Sequence, residues 1–427
     1  MNGRRKPVLP WWLWVVGLGL MAAPSRVTAD AGHDLLPQSP LAGREVFVQK
    51  GCVVCHSVNG SGGTLGPDLA VAAGGKHFLQ LAGLLWNHTP RMMEVLQKKG
   101  KSWPELSPDE MTRIFAYLYS LNYFEPTGDF AKGRQLFHDL NCIVCHSVGN
   151  QGGSVGPALD QYAGEASTLA LASALWNHGP KMRRQLPQNH MPMPLFVDAE
   201  MADVLAYIRG ASLTPPGTPH YLAPGSPLRG ESLFQSKGCI RCHSIRGHGG
   251  EVGPDLATKP ISVNAATLAG ILWNHSSLME EKMQEKGIPF ISMTPEEMGD
   301  ILSYLYYLEY TETRGDPAHG AKLFLHDRGC GLCHTEGNKG GPGAAPDLRR
   351  SELIQSPGAL AAAMWNHAAT MLPRMKQKNV AWPLFEKNDL ADILAYLQQA
   401  APSAPEAARG PKPAKGATKP AGVSGKR

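Results

Sequence analysis

GCVVCHSVNG, residues 51–60, sets Cys52 and Cys55 three positions apart and follows the second directly with His56. A pentapeptide of this kind reads equally as a redox dithiol, as half of a zinc site or as the attachment point of a porphyrin. The rest of the chain discriminates between them. All eight cysteines of the 427 residues fall into four copies of the pattern: CVVCH, CIVCH (Cys142, Cys145, His146), CIRCH (Cys239, Cys242, His243) and CGLCH (Cys330, Cys333, His334). None is left over to bridge one copy to another.

Aligned on the first cysteine, the copies start at 52, 142, 239 and 330, at intervals of 90, 97 and 91 residues. A repeat at fixed period means that each copy is one structural unit. Before each motif stands Gly-x-x-x-Phe (Gly43 and Phe47, Gly133 and Phe137, Gly230 and Phe234, Gly320 and Phe324). Four-residue spacing puts both on one helical face, where the glycine lets another helix come close. A proline follows the motif histidine by eleven residues at Pro67, Pro157 and Pro254, and by twelve at Pro346. Next comes an apolar periodic stretch ending in Trp-Asn-His, with a methionine four residues beyond the histidine. Each unit closes on an amphipathic helix with acidic residues near its start, which favour the positive end of the helix dipole. The chain therefore divides into a leader at 1–29, four helical units at 42–126, 129–213, 226–312 and 316–400, and a tail at 401–427. The 214–227 linker, TPPGTPHYLAPGSP, is the longest. It is expected to separate two halves, each made of consecutive units.

The net charge of +5 is carried by the two ends. Arg4, Arg5, Lys6 and Arg26 meet no acidic residue before Asp30, and six basic residues after Ala400 face only Glu406. The units themselves are acidic on balance, which speaks against nucleic-acid binding. A basic start, an apolar run from Trp11 to Ala23 and small residues up to Ala29 read as a cleaved secretory signal. Retention of this segment would leave a membrane anchor. The Pro-, Ala- and Lys-rich tail cannot bury a core and reads as a disordered basic segment, a second route to membrane association.

A structural zinc needs four ligands, and no unit holds a second cysteine pair. A dithiol oxidoreductase would need a strand-rich thioredoxin-like pattern, whereas each unit reads as helices and loops. Cys-x-x-Cys-His as a haem c attachment site satisfies both objections. The thiols reach two vinyl groups while the adjacent imidazole reaches iron. Units this small also have marginal cores unless a bound group supplies apolar interior.

Each unit resembles a class I c-type cytochrome domain, and the resemblance extends from Ala42 to Ala400. It implies an all-α fold of four tandem cytochrome c domains, each wrapped around one haem. Four haem c groups would be held through thioethers to Cys52, Cys55, Cys142, Cys145, Cys239, Cys242, Cys330 and Cys333. His56, His146, His243 and His334 would be the proximal iron ligands. The resemblance makes Pro67, Pro157, Pro254 and Pro346 the residues whose carbonyls receive the ring N–H of those histidines and orient them. In the fourth unit the extra loop residue, and Ala345 where the others have glycine, depart from that pattern. The resemblance also sets the Gly-x-x-x-Phe helix across the last helix, against Tyr117, Tyr207, Tyr304 and Tyr396.

For the distal ligand the residues leave alternatives open. Met92, Met182, Met279 and Met371 occupy one alignment position, four residues after His88, His178, His275 and His367. The methionines are the first choice and the histidines the alternative; Met191, in HMPMP, is a further candidate in unit 2. If the histidines are not ligands, they and the adjacent tryptophans are expected to bond haem propionates or pack on the haem edge. His33, His77, His138, His190, His220, His248, His319 and His326 share no alignment position and read as surface or loop residues. With both axial positions filled, outer-sphere electron transfer between transiently docked redox partner proteins is the expected function, in the periplasm or another exported compartment. The alternative is a redox enzyme, or its haem subunit, with one open haem.

Overall fold

Three helices and one cysteine-bearing turn recur in every unit of the computed structural model, which describes residues 33–123, 128–162, 167–211, 224–258, 263–334 and 345–399. The first helices are Ala42–Gln49, Phe130–Asp139, Pro227–Ser236 and Pro317–Lys322, the last of which continues into a π-helical turn at Leu323–Asp327. The long helices are Phe78–Lys98, Thr168–Gln185, Ala265–Glu285 and Pro357–Gln377. The last helices are Pro108–Ser120, Glu200–Ala211, Pro295–Tyr310 and Asp389–Gln399. Two of these start on reciprocal capping boxes, Ser107 with Glu110 and Thr294 with Glu297, which satisfy backbone N–H groups that the first turn cannot. The only strands among the described residues are three two-residue hairpins after the cysteine turns of units 1, 2 and 3.

First and last helices cross at the glycine of Gly-x-x-x-Phe. A Cβ on Gly43, Gly133, Gly230 or Gly320 would run into the carbonyl of Arg113, Asp203, Asp300 or Asp392. One turn on, the phenylalanine ring meets the last-helix tyrosine: centroids are 6.1 Å apart for Phe47 and Tyr117, 5.4 Å for Phe137 and Tyr207, 5.8 Å for Phe234 and Tyr304, and 5.7 Å for Phe324 and Tyr396. The crossing implied by the resemblance is thus present in all four units.

Between units, contact follows an order that the chain does not. One buried core runs beneath units 1 and 4 and takes in Tyr306, Tyr307 and Tyr310 of unit 3; a second runs beneath units 2 and 3. Trp-Asn of the long helix fastens each pair. Trp86 Nε1–H donates to Pro383 O at 2.9 Å, and the Asn87 amide exchanges two hydrogen bonds with Phe385, donating to its carbonyl at 2.7 Å and accepting from its N–H at 2.8 Å. Unit 4 returns the arrangement, with Trp365 on Pro104 O and Asn366 on both polar atoms of Leu106. Units 2 and 3 repeat it, through Trp176 and Asn177 on Ile291 and Met293, and through Trp273 and Asn274 on Pro194 and Phe196. Reciprocity of this kind marks a pseudo-twofold contact.

Further aromatic contacts differ by pair. Trp382 stacks on Trp86, and Trp103 on Trp365, both at 4.0 Å. Pro90 has no N–H for the Trp86 carbonyl four residues back, and that carbonyl accepts Trp382 Nε1–H at 3.2 Å. In the other pair Trp176 stacks on Phe290 at 5.3 Å, and Arg183 is bonded to Glu280 and Ser276. Units 1 and 3 meet through tyrosines: Tyr306 donates to Tyr119 O at 2.9 Å, Tyr119 to Tyr306 O at 3.3 Å and Tyr307 to Ala116 O at 2.8 Å. Burial raises the hydroxyl pKa of Tyr119, Tyr306, Tyr307 and Tyr310.

The division into halves of consecutive units is therefore incorrect. Unit 1 shares a core with unit 4 and unit 2 with unit 3, because complementary side chains, and not linker length, select the partner. Residues 214–223 of the long linker, the leader and the tail lie outside the described residues. Among the described residues no helix is long and apolar enough to cross a membrane.

The fastening carries a stability prediction. Replacing Asn366 with alanine leaves both polar atoms of the buried Leu106 peptide without their partner, at a cost of about 1–3 kcal/mol each. Urea denaturation of the full chain should show a lower midpoint, and an unchanged midpoint would mean that these bonds do not hold the pair together.

Candidate functional site

A left-handed residue opens every cysteine turn: Gly51 at φ 78°, Asn141 at 61°, Gly238 at 81° and Gly329 at 70°. Glycine and asparagine are the residues that adopt this conformation at least cost. The turns themselves are short helical segments, Cys52–Val54, Cys142–Cys145, Cys239–Arg241 and Cys330–Leu332. Each closes when the histidine N–H donates to the carbonyl of the first cysteine, at 2.9 Å for His56, His146 and His334 and 3.0 Å for His243. Two sulfurs and one imidazole are thereby held on a single turn.

The imidazoles are oriented from behind. Nδ1 of His56 lies 3.1 Å from Pro67 O, His146 3.0 Å from Pro157 O, His243 3.1 Å from Pro254 O and His334 2.9 Å from Pro346 O. A backbone carbonyl only accepts, so Nδ1 carries the proton and Nε2 is left as the free donor atom of the ring. In units 1 to 3 the glycine before the proline makes room: a Cβ on Gly66, Gly156 or Gly253 would collide with the ring of His56, His146 or His243. Unit 4 has Ala345 there and keeps the bond to Pro346 with one more residue in the loop. Residues 335–344 of that loop lie outside the described residues. In unit 1, Asp68 ties the hairpin to the same segment, accepting from Asn59 N, Gly60 N, Ala70 N and Ser57 Oγ. The Gly60 N–H chiefly, with the other donors, holds its carboxyl below the usual carboxylate range.

The first cysteine of each motif faces the apolar core. Burial pushes the thiols of Cys52, Cys142 and Cys330 up to about 11 and raises that of Cys239. None of the eight cysteines forms a disulfide. A low-pKa redox dithiol would show the opposite shift. Among the described residues no three His, Cys, Asp or Glu side chains gather as a metal site, so the folding brings no second ligand pair to any motif. One sulfur against the apolar interior and a second on the same turn, with an imidazole presenting Nε2, form the donor set that fits a covalently held porphyrin.

The long helix carries the remaining candidates. His88, His178, His275 and His367 are exposed, and Met92, Met182, Met279 and Met371 are half-buried against the two cores. His88 Nδ1 is bonded to Leu84 O and His275 Nδ1 to Ile271 O, each at 2.8 Å, while His367 Nδ1 lies 3.1 Å from Thr370 Oγ1. Burial lowers the pKa of His367, and the charge of His334 lowers it further. Met191 is half-buried at the start of the loop before the last helix of unit 2, with its N–H on Leu186 O at 2.9 Å.

Two readings need correction. The tryptophans do not reserve Nε1–H for propionates; each indole donates to a carbonyl of the paired unit. His77 is not a surface residue but is 9% exposed, with Nε2 3.0 Å from Asn388 Oδ1 across the contact of units 1 and 4, and burial lowers its pKa. His319 is exposed, as expected, and pairs with Asp392 at 2.8 Å, which raises its pKa. The asparagine of Trp-Asn-His is the residue that pattern reading leaves without a role. Its presence in all four units, on a helix where asparagine has no local advantage, is the signal that could have found it.

Comparison with known proteins gives one result. The family model described as Cytochrome c matches the chain four times, at residues 41–122, 130–212, 228–309 and 317–401, well over half of its length. No curated protein and no solved structure matches.

The glycine cradle is open to test. Gly156→Ala should displace the His146 ring and break its bond to Pro157, with the loss of about 1–3 kcal/mol typical of overpacking. Thermal unfolding and the His146 ring resonances would register both effects, and an unperturbed ring would refute the account.

Proposed function

This chain belongs to the cytochrome c family, in four tandem domains, and from that premise we propose that it is an exported electron carrier with one haem c in each unit. Haem-based electron transfer is the activity such domains support. The observation that carries the fourfold reading is the repetition of one donor set in every unit: a core-facing first sulfur, a second sulfur on the same turn and an imidazole whose Nδ1 is tied to a proline carbonyl.

In this reading Cys52 with Cys55, Cys142 with Cys145, Cys239 with Cys242 and Cys330 with Cys333 hold the macrocycles through thioethers. His56, His146, His243 and His334 offer Nε2 to the iron, and the prolines keep each ring in the right tautomer. The haem, when bound, supplies reversible one-electron chemistry at iron. Met92, Met182, Met279 and Met371 are the proposed distal ligands, since each is half-buried and follows its Trp-Asn pair by a fixed interval. A specific observation favours a second assignment. Nδ1 of His88 and His275 is bonded to a carbonyl, which leaves Nε2 free, as it is in metal-ligating histidines. A thioether raises the potential and a second imidazole lowers it. Export is supported by the basic and apolar leader together with thioether chemistry. Partners of an electron carrier dock transiently over small interfaces.

Intact mass of exported protein should equal the processed polypeptide plus four haems; fewer would end the fourfold reading. Met92→Leu should convert one haem from low to high spin in electron paramagnetic resonance while His88→Leu leaves it low spin, and the reverse result would assign the histidine. Carbon monoxide should leave the reduced spectrum unchanged. A shifted spectrum would favour an enzyme with an open haem.

A further inference from the structure

We infer that the Trp-Asn step of each long helix is a positioning device that couples the four redox sites in two pairs, unit 1 with unit 4 and unit 2 with unit 3. The inference rests on the functional reading above, because it concerns how the distal side of each site is held.

The tripeptide Trp-Asn-His is identical in four units, yet its indole and amide are directed mainly at the paired unit. Three hydrogen bonds join two consecutive residues of one helix to the backbone of two residues of an extended segment, two positions apart: Pro104 and Leu106, Pro194 and Phe196, Ile291 and Met293, or Pro383 and Phe385. One bond would allow the helix to pivot. A primary amide that both donates to and accepts from a single residue fixes rotation as well as distance. Small residues bring the surfaces close enough: a Cβ on Gly83 would stand 3.3 Å from Phe385 Cβ and one on Gly270 3.3 Å from Phe196 Cβ, while Ser173 donates to Met293 O at 2.8 Å.

Both distal candidates stand just beyond the latch on the same helix, the histidine next after the asparagine and the methionine one turn further. An α-helix transmits displacement along its axis, so whatever fixes Trp86 and Asn87 fixes His88 and Met92. The receiving segment runs directly into the last helix of the paired unit: Leu106 precedes the N-cap Ser107, and the Phe385 segment leads into Asp389–Gln399. Each latch therefore sets the distal helix of its own site and the last-helix frame of its partner's. Reciprocity closes the loop within a pair, and no latch joins one pair to the other.

The test uses the full haem-loaded chain. Asn87→Leu, Asn366→Leu, Asn177→Leu and Asn274→Leu each remove one amide, and redox titration followed by electron paramagnetic resonance reads the four haems separately. Asn87→Leu and Asn366→Leu, at opposite ends of one contact, should shift the same two transitions. Asn177→Leu and Asn274→Leu should shift the other two. One transition per variant, all four, or none would overturn the inference, and so would a loss of stability with unchanged potentials. If a leucine variant does not mature, Asn87→Asp, which keeps the acceptor for Phe385 N–H and loses the donor, and Trp382→Phe, which keeps the stack and loses the bond to Trp86 O, are judged by the same pairing. Macrocycles counted by mass on the unaltered chain decide the functional reading independently. Four haems with the wrong pattern of shifts sinks only the latch.

Discussion

One asparagine amide per unit, bonded to both polar atoms of a single residue in another unit, is the contact on which the assembly depends. A unit of well under 100 residues buries too small a share of its surface to be robust alone. Here each unit draws interior from a neighbour, so that two cores serve four units. Bringing apolar faces together is not directional and would permit many relative orientations. The amide supplies the direction. It pairs with backbone atoms that must find partners once buried, and those atoms lie just upstream of the last helix, where they set how that helix begins. The crossing of first and last helices, and through it the seat of the cysteine turn, inherits its position from this bond.

Within a unit, much was legible from residues alone. Gly43 and Phe47 imply a close helix crossing because a missing Cβ four residues from an aromatic has few other uses, and the crossing is there. The role of Pro67, Pro157, Pro254 and Pro346 came from the family resemblance and not from their spacing; all four bonds form, including the one in unit 4 where Ala345 replaces glycine. The order of contact between units was not legible. Trp86 and Pro383 are 297 residues apart, and the choice of partner shows only when positions of different units are compared across the contact they make. Linker length pointed to consecutive pairs because it measures only reach. The burial of His77 was missed for a related reason: its partner, Asn388, stands in another unit.

The distal side shows how one segment can be taken from one task and given to another. One distal candidate, Met191, lies on the loop before the last helix. In units 1, 3 and 4 that loop instead presents Trp103, Phe290 and Trp382 to the neighbouring unit and lends its backbone to the latch. Unit 2 has Met191 and Met193 there and unit 3 has Met293, but the first loop is fastened through Pro194 and Phe196 and the second through Ile291 and Met293 itself, which is 6% exposed. A backbone held at two peptides by another unit cannot readily fold back over its own site. The long helix, extended past Met92, Met182, Met279 and Met371, is the element left to cover it, which explains why both fixed distal candidates lie on that helix.

A latch common to four units cannot by itself choose partners, since any two units could exchange the same bonds. The choice lies in what surrounds it. Seven residues after the tryptophan stand Met93 in unit 1 and Leu372 in unit 4, but Arg183 in unit 2 and Glu280 in unit 3. Arg183 and Glu280 meet with side chains only 13% and 14% exposed. Pairing unit 1 with unit 3 through this surface would set Glu280 against Met93, and pairing unit 2 with unit 4 would set Arg183 against Leu372. Each mismatch strands a charge, at about 3–5 kcal/mol for the loss of a buried partner. The native pairs match apolar with apolar and cation with anion, while Trp382 against Trp86 and Trp103 against Trp365 add stacked area that Met193 in unit 2 could not reproduce. Attraction common to all units and repulsion specific to the wrong ones together yield a single arrangement. The pairing of 1 with 4 and 2 with 3 is therefore written in one charged position and one aromatic position, read against a latch that is the same everywhere.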